Sequence, residues 1–168
     1  MTSKFLLGTY TRRASKGIYS VELNTETKTL ENIELVSEVG NPTYLDTNSD
    51  QSIIYTVVSE DGEGGLLSLV RNESGEYERK AIVLDEGKSP CYVALDEDRQ
   101  LVYTAYYHTG EVMVFKTDTE GHLELVDTVT HKGHSVHENQ DGPHAHYSQL
   151  TPDNKYLVAC DLGTDKVY

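Results

Sequence analysis

Five of the seven histidines in this chain fall between positions 131 and 146. The run reads His131-Lys-Gly-His134-Ser-Val-His137-Glu-Asn-Gln140-Asp-Gly-Pro143-His144-Ala-His146. A neutral imidazole titrates near pH 6.5 and can take up or release a proton at neutral pH. His144 and His146 lie two apart, which on a strand turns both toward one face. They are the candidate catalytic pair. His146 is placed as a base toward water, and His144 as a group that orients a substrate. Gln140, Asp161 and Arg12 are the candidate substrate contacts. His131, His134 and His137 sit in a polar loop and read as hydrogen-bonded structural residues. Asp161, in Asp161-Leu-Gly-Thr-Asp165, also fits a turn acid that caps backbone donors. A His-x-His pair supplies two metal ligands, whereas a catalytic zinc takes three protein groups. Glu138, Asp141 and Asp161 could add a third, but no spacing supports it, so no metal and no cofactor is expected. No G-x-S-x-G is present, which argues against a covalent serine route.

The elements that must position these groups repeat along the chain. Three segments open on proline and reach a tyrosine 13 residues later: Pro42 to Tyr55, Pro90 to Tyr103, and Pro143 to Tyr156. Each holds two apolar runs separated by an acidic turn. A third run follows each tyrosine (Gly65–Val70, Glu111–Lys116, Lys166–Tyr168), and a fourth follows the first two (Glu76–Leu84, His122–Val129). Runs of this length, rich in Tyr, Val and Thr and bounded by Gly, Asn, Asp and Pro, predict strands. No stretch carries a sustained 3.6-residue period. Four strands in a unit of 48 residues predict an all-β chain, a β-propeller built of four-stranded antiparallel blades.

The N-terminus supplies the last three strands of a unit, over Lys4–Tyr10, Gly17–Leu23 and Leu30–Val39. The frame predicts a single β-propeller domain with a partial blade over 1–40, blades over 41–88 and 89–130, and a partial blade over 131–168. These are about three and a half blades. Propellers close with four to eight, so the chain is expected to be the N-terminal half of a longer protein. Two copies forming one ring would leave two strands too many for one blade. Unpaired edges and an uncovered blade face predict self-association of an isolated 168-residue product. The approach to Pro143 is five residues longer than the approach to Pro90, and the excess is the His-rich loop. First strands line a propeller channel, so an insertion there points to the mouth of the channel as the site.

Composition narrows the partners. Lys plus Arg is 14 against 28 Asp plus Glu, a net charge of −14. That excess argues against nucleic acid, which needs a basic footprint, and against an anionic membrane surface. No apolar run approaches a membrane span, and Phe5-Leu6-Leu7 is too short for a signal-peptide core. The expected location is the cytoplasm. Cys91 and Cys160 sit in apolar runs with no CxxC and read as reduced, packed thiols. The acidic turns Glu60–Glu63 and Asp96–Asp98 are expected as solvated hairpin tips. Arg12, Arg13, Lys16 and Lys132 lie in or beside loops and supply local positive charge.

Several segments carry a resemblance. Leu7-Gly-Thr-Tyr-Thr11, Lys16-Gly-Ile-Tyr19, Gly40-Asn-Pro-Thr-Tyr-Leu45, Gln140-Asp-Gly-Pro-His-Ala-His146, Pro152-Asp153 and Asp161-Leu-Gly-Thr-Asp-Lys-Val167 resemble the seven-bladed propeller lactonase family. That family includes propeller-type 6-phosphogluconolactonases and is similar to carboxy-muconate lactonizing enzymes. The resemblance implies about half of a seven-bladed propeller and hydrolysis of a small-molecule sugar lactone, typically 6-phosphogluconolactone, in the pentose phosphate route. It implies His146, six residues before Pro152, as the catalytic histidine, with an Arg and a Glu of the cleft coming from blades beyond residue 168. Two positions depart from the family pattern. Asn139 stands where an Arg usually precedes the Gln, and Ala145 replaces the second Pro of Pro-His-Pro-His. The first change removes a preferred bidentate phosphate ligand. The residues leave two other readings open: a non-catalytic protein-interaction scaffold, and a lyase or metal-dependent hydrolase in the same channel.

Overall fold

The computed structural model describes residues 1–87 and 89–168. Lys88, where the second unit is expected to end, lies outside the described residues. Fourteen strands are present among the described residues, with no helical element. They form four antiparallel sheets. The first holds β1 (Thr2–Leu7), β2 (Gly17–Asn24) and β3 (Thr29–Glu38). The second runs in order through β4 (Leu45–Thr47), β5 (Ile53–Glu60), β6 (Glu63–Arg71) and β7 (Tyr77–Glu86). The third follows the same order through β8 (Tyr92–Asp96), β9 (Leu101–Tyr106), β10 (Glu111–Lys116) and β11 (Glu124–Thr130). The fourth holds β12 (Ala145–Leu150), β13 (Leu157–Asp161) and β14 (Lys166–Val167). These are the meandering antiparallel sheets of a β-propeller, each strand pairing with the next in sequence.

The apolar pattern explains why the sheets stack face to face. β5 is buried over Ile53–Val58 without alternation, as a strand covered on both faces must be. Ile54 and Val58, with Leu67 and Leu69 of β6, pack on Ile18 and Val39 of the first sheet. Ile53 and Tyr55, with Leu66, face the other way onto Val93, Val102 and Phe115 of the third. The third sheet repeats the device. Its Tyr92, Ala94, Ala105 and Val112 turn to Ala145 and Ala159 of the fourth. The outermost strands β3 and β11 are largely exposed, which accounts for their charged and polar residues.

Polar bonds stitch neighbouring sheets. The Asp46 carboxylate accepts the Leu95 N–H at 2.8 Å. The Tyr55 hydroxyl meets the Thr117 hydroxyl at 2.7 Å inside the second interface, and burial raises the Tyr55 pKa. Replacing Tyr55 by Phe is expected to cost about 0.5–1.5 kcal/mol, since one buried bond is lost and the ring stays. Thermal unfolding of the full-length protein checks this, and an unchanged Tm would remove the bond from the account.

The hairpin between β5 and β6 turns through Asp61 and Gly62, with φ of 52° and 90°. Two left-handed residues in a two-residue loop make the turn whose twist suits a hairpin. The acidic turns are more engaged than solvated tips would be. Glu60 binds the Arg79 guanidinium and accepts the Gly40 N–H, and the bonds from Arg79 hold its carboxyl below the usual range. Asp96 is buried and takes Arg99 and the Tyr103 hydroxyl. Glu97 reaches across to the Ser49 N–H and hydroxyl in the β4–β5 turn. Hairpin tips that meet the next blade find partners, and local sequence does not show those partners. Cys91 and Cys160 are free thiols, both partly buried. No helix among the described residues is long and apolar enough to cross a membrane.

Candidate active site

One end of the stacked sheets gathers the candidate groups. The segments that lead into β4, β8 and β12 meet there with the β1–β2, β9–β10 and β13–β14 turns. Thr11 and Asn41 tie the first of these together. The Thr11 N–H donates to Asn41 Oδ1 and the Asn41 N–H to Thr11 Oγ1, each at 3.1 Å. Between them and the third sheet lies a polar cavity of about 520 Å³, lined among others by Tyr10, Arg12, Asn41, Cys91, Tyr107 and His108. The Arg12 guanidinium lies 4.9 Å above the Tyr10 ring centroid, in cation–π contact. It makes no ion pair among the described residues. Lys16 is instead paired with Glu38 at 3.3 Å.

The histidine pair flanks the same cavity through Tyr107. His144 stacks on the Tyr107 ring, centroids 4.4 Å apart and planes 7° from parallel. Its Nδ1 lies 2.9 Å from the Tyr107 carbonyl oxygen. A carbonyl only accepts, so Nδ1 is the donor in this contact and Nε2 is the other ring nitrogen. That nitrogen is 3.6 Å from an Asp141 carboxylate oxygen. His146 approaches the edge of the same tyrosine ring, 6.0 Å between centroids at 88°. It is exposed, and its ring has no hydrogen bond or ion pair among the described residues. The strand alternation expected of the pair is replaced by a bulge. β12 begins at Ala145, which faces Asp161, and Tyr147 faces Cys160, so one extra residue is fitted in at His146. Bulges re-aim side chains beside sites. Here Tyr107, rather than strand period, brings both rings to one place.

Asp161 faces inward and is 3% exposed. Its Oδ1 accepts the backbone N–H groups of His144, Gly163 and Thr164, each at 2.9 Å. Its Oδ2 accepts from His131 Nδ1 at 2.6 Å. Burial disfavours the carboxylate, but the bonds from His144, His131 and Thr164 outweigh it and hold the pKa below the usual value. His131 is buried as well, and Tyr168 stacks on its ring at 3.9 Å and 19°. Gln140 braces the loop. Its Nε2 donates to the Leu162 carbonyl at 2.8 Å, and its Oε1 accepts the His137 N–H at 3.2 Å. His134 and His137 stay exposed on that loop. Among the described residues no group of three or more His, Cys, Asp and Glu is placed to hold a metal ion.

Sequence reasoning missed Tyr107 and the His131–Asp161 contact. Tyr107 carried a weak signal. It directly follows the β9 run, at the turn that matches Asp161-Leu-Gly in the next unit. The buried pair carried none, being 30 residues apart with no local pattern.

A family model described as "Lactonase, 7-bladed beta-propeller" matches residues 4–168. A protein named 6-phosphogluconolactonase from Bacillus subtilis is 44% identical over 164 residues, which cover 96% of this chain and 47% of that one. A crystal structure of a Lactobacillus plantarum protein superposes with a TM-score of 0.92 at 45% identity, over 100% of this chain and 48% of that one. A periplasmic gluconolactonase of Pseudomonas aeruginosa gives a TM-score of 0.88 at 28% identity, over 100% of this chain and 49% of the other. The chain spans about half the length of the curated relatives it matches.

Proposed function

The chain belongs to the seven-bladed β-propeller lactonase family, and on that premise we propose that its channel mouth forms part of a site that hydrolyses a sugar lactone. The preferred substrate in this reading is 6-phosphogluconolactone, opened to 6-phosphogluconate in the pentose phosphate route in the cytoplasm. The observation that carries the reading is His146, an exposed imidazole at a bulge, edge-on to the Tyr107 ring that lines the polar cavity. The Bacillus subtilis relative, which bears that activity in its name, supports the substrate class.

The chemistry follows from the groups present. His146 takes a proton from water as the water oxygen bonds to the lactone carbonyl carbon. The carbonyl oxygen gains the negative charge of a tetrahedral intermediate. Collapse of that intermediate breaks the ring C–O bond, and the leaving alkoxide takes the proton back from the imidazolium. The product is an open-chain hydroxy acid, and no net electron transfer occurs. Arg12, whose guanidinium lies over Tyr10 and makes no ion pair among the described residues, offers its charge to an anionic tail of the substrate. That role matters because Asn139 occupies the place of the usual arginine. A local cation also offsets the repulsion expected from a chain of net charge −14.

The test is hydrolysis of 6-phosphogluconolactone and of gluconolactone by the full-length protein, followed by acid release. Acceleration of the phosphorylated lactone well above its spontaneous rate supports the reading. Arg12→Ala is expected to raise KM for the phosphorylated lactone about tenfold and to leave the neutral one nearly unchanged, as for one lost charge-assisted contact. No acceleration of either lactone would overturn the proposal. Equal effects of Arg12→Ala on both substrates would remove the phosphate role of Arg12.

A further inference from the structure

We infer that the buried His131–Asp161 pair is a positioning device for the His144–His146 segment, an inference that rests on the lactonase reading of the mouth. One carboxylate joins three parts of the chain. Through Oδ2 it holds His131, the first residue after β11. Through Oδ1 it holds the turn that follows β13, at Gly163 and Thr164. Through the same oxygen it holds the backbone N–H of His144. The His144 carbonyl in turn accepts the Leu162 N–H at 3.0 Å, so the residue is gripped on both sides of its backbone.

Packing completes the seat. A Cβ on Gly110 would meet the Pro143 ring, and one on Gly163 would meet the Gly142 carbonyl and the His144 ring. The Gly142–His144 segment therefore lies wedged between the β9–β10 and β13–β14 turns. His131 is held on every side that counts: by Asp161, by Tyr168 stacked on its ring, and by its own N–H to the Gly110 carbonyl at 2.9 Å. With both side chains buried, 3% and 0% exposed, neither ring nor carboxylate reaches a substrate. Their influence passes through the backbone of His144 and the bulge at His146.

A buried carboxylate with a missing donor relaxes toward other partners, and its Oδ1 bonds relax with it. His131→Leu removes the donor while keeping bulk. His131→Asn keeps an N–H close to the position of Nδ1. Both are made in the full-length protein. His131→Leu is expected to lower kcat about tenfold with KM within roughly twofold, because small misplacement costs rate rather than affinity. His131→Asn is expected to stay within about threefold of the parent. The ring Nδ1–H signal of His144, read by 15N–1H NMR, is expected to shift or exchange faster in His131→Leu and to persist in His131→Asn. The inference is overturned if His131→Leu leaves kcat and that signal unchanged, or if the two variants lose rate equally and only in step with Tm. A parent protein without lactone turnover would instead defeat the lactonase reading, and the His144 signal would still decide the positioning role.

Discussion

His146→Ala is expected to lower kcat for lactone hydrolysis in the full-length protein by about 10²–10⁴-fold, the usual contribution of a positioned proton-transfer group. The reason is specific to this ring. His146 is exposed, sits at the bulge that opens β12, and touches only the edge of Tyr107 among the aromatic rings. Removing it leaves no buried donor orphaned and opens no cavity in the core, so Tm should stay within about a degree or two, as for a surface change of up to half a kcal/mol. His144→Ala should behave differently. It deletes a ring stacked on Tyr107 and a bond to the Tyr107 carbonyl, so rate and Tm fall together. Parallel kinetics and melting curves of the two variants make the comparison. Unchanged turnover in His146→Ala would remove His146 as the base.

Gly163→Ala is expected to lower stability by about 1–3 kcal/mol, the usual cost of overpacking, and kcat by roughly 10²-fold through displacement of the histidine segment. The added Cβ would fall against the Gly142 carbonyl carbon and oxygen and against the His144 ring. Backbone cannot swing aside as a flexible side chain can. Either the turn after Asp161 or the Gly142–His144 segment must move, and both are bonded to the Asp161 carboxylate or lie next to residues that are. Gly142→Ala is the control. A Cβ there meets nothing within 4 Å, so it should melt and turn over like the parent. Equal behaviour of the two variants would show that the close approach at Gly163 does not hold the segment.

Legibility varied with the range of the interaction. The β5 run Ile53–Val58 is read as a strand from composition. In the fold, Ile54 and Val58 meet one neighbouring sheet and Ile53 and Tyr55 the other, which covers the strand on both faces. The acidic tips misled. Asp96, Glu97 and Glu60 look solvated in a local window, yet each binds a partner donor, and Glu97 and Glu60 reach donors on neighbouring elements. The His-rich insertion was visible as an excess of five residues before Pro143. The division of labour inside it was not. His131 resembles His134 and His137 in sequence, but it alone of the three is buried.

By itself, the sequence determined the strands, the 48-residue unit and the all-β propeller class. Those features arise from periodicity, turn residues and burial pattern, which are short-range and repeat along the chain. Only the tertiary structure decided which groups meet. It put Tyr107 beneath His144 and beside His146, turned Asp161 inward to His131, and set Arg12 over Tyr10 on a shared cavity. These contacts depend on a bulge, on two glycines with no room for a side chain, and on the stacking of one sheet against the next. Such steric fits join residues dozens of positions apart and leave no period in the chain.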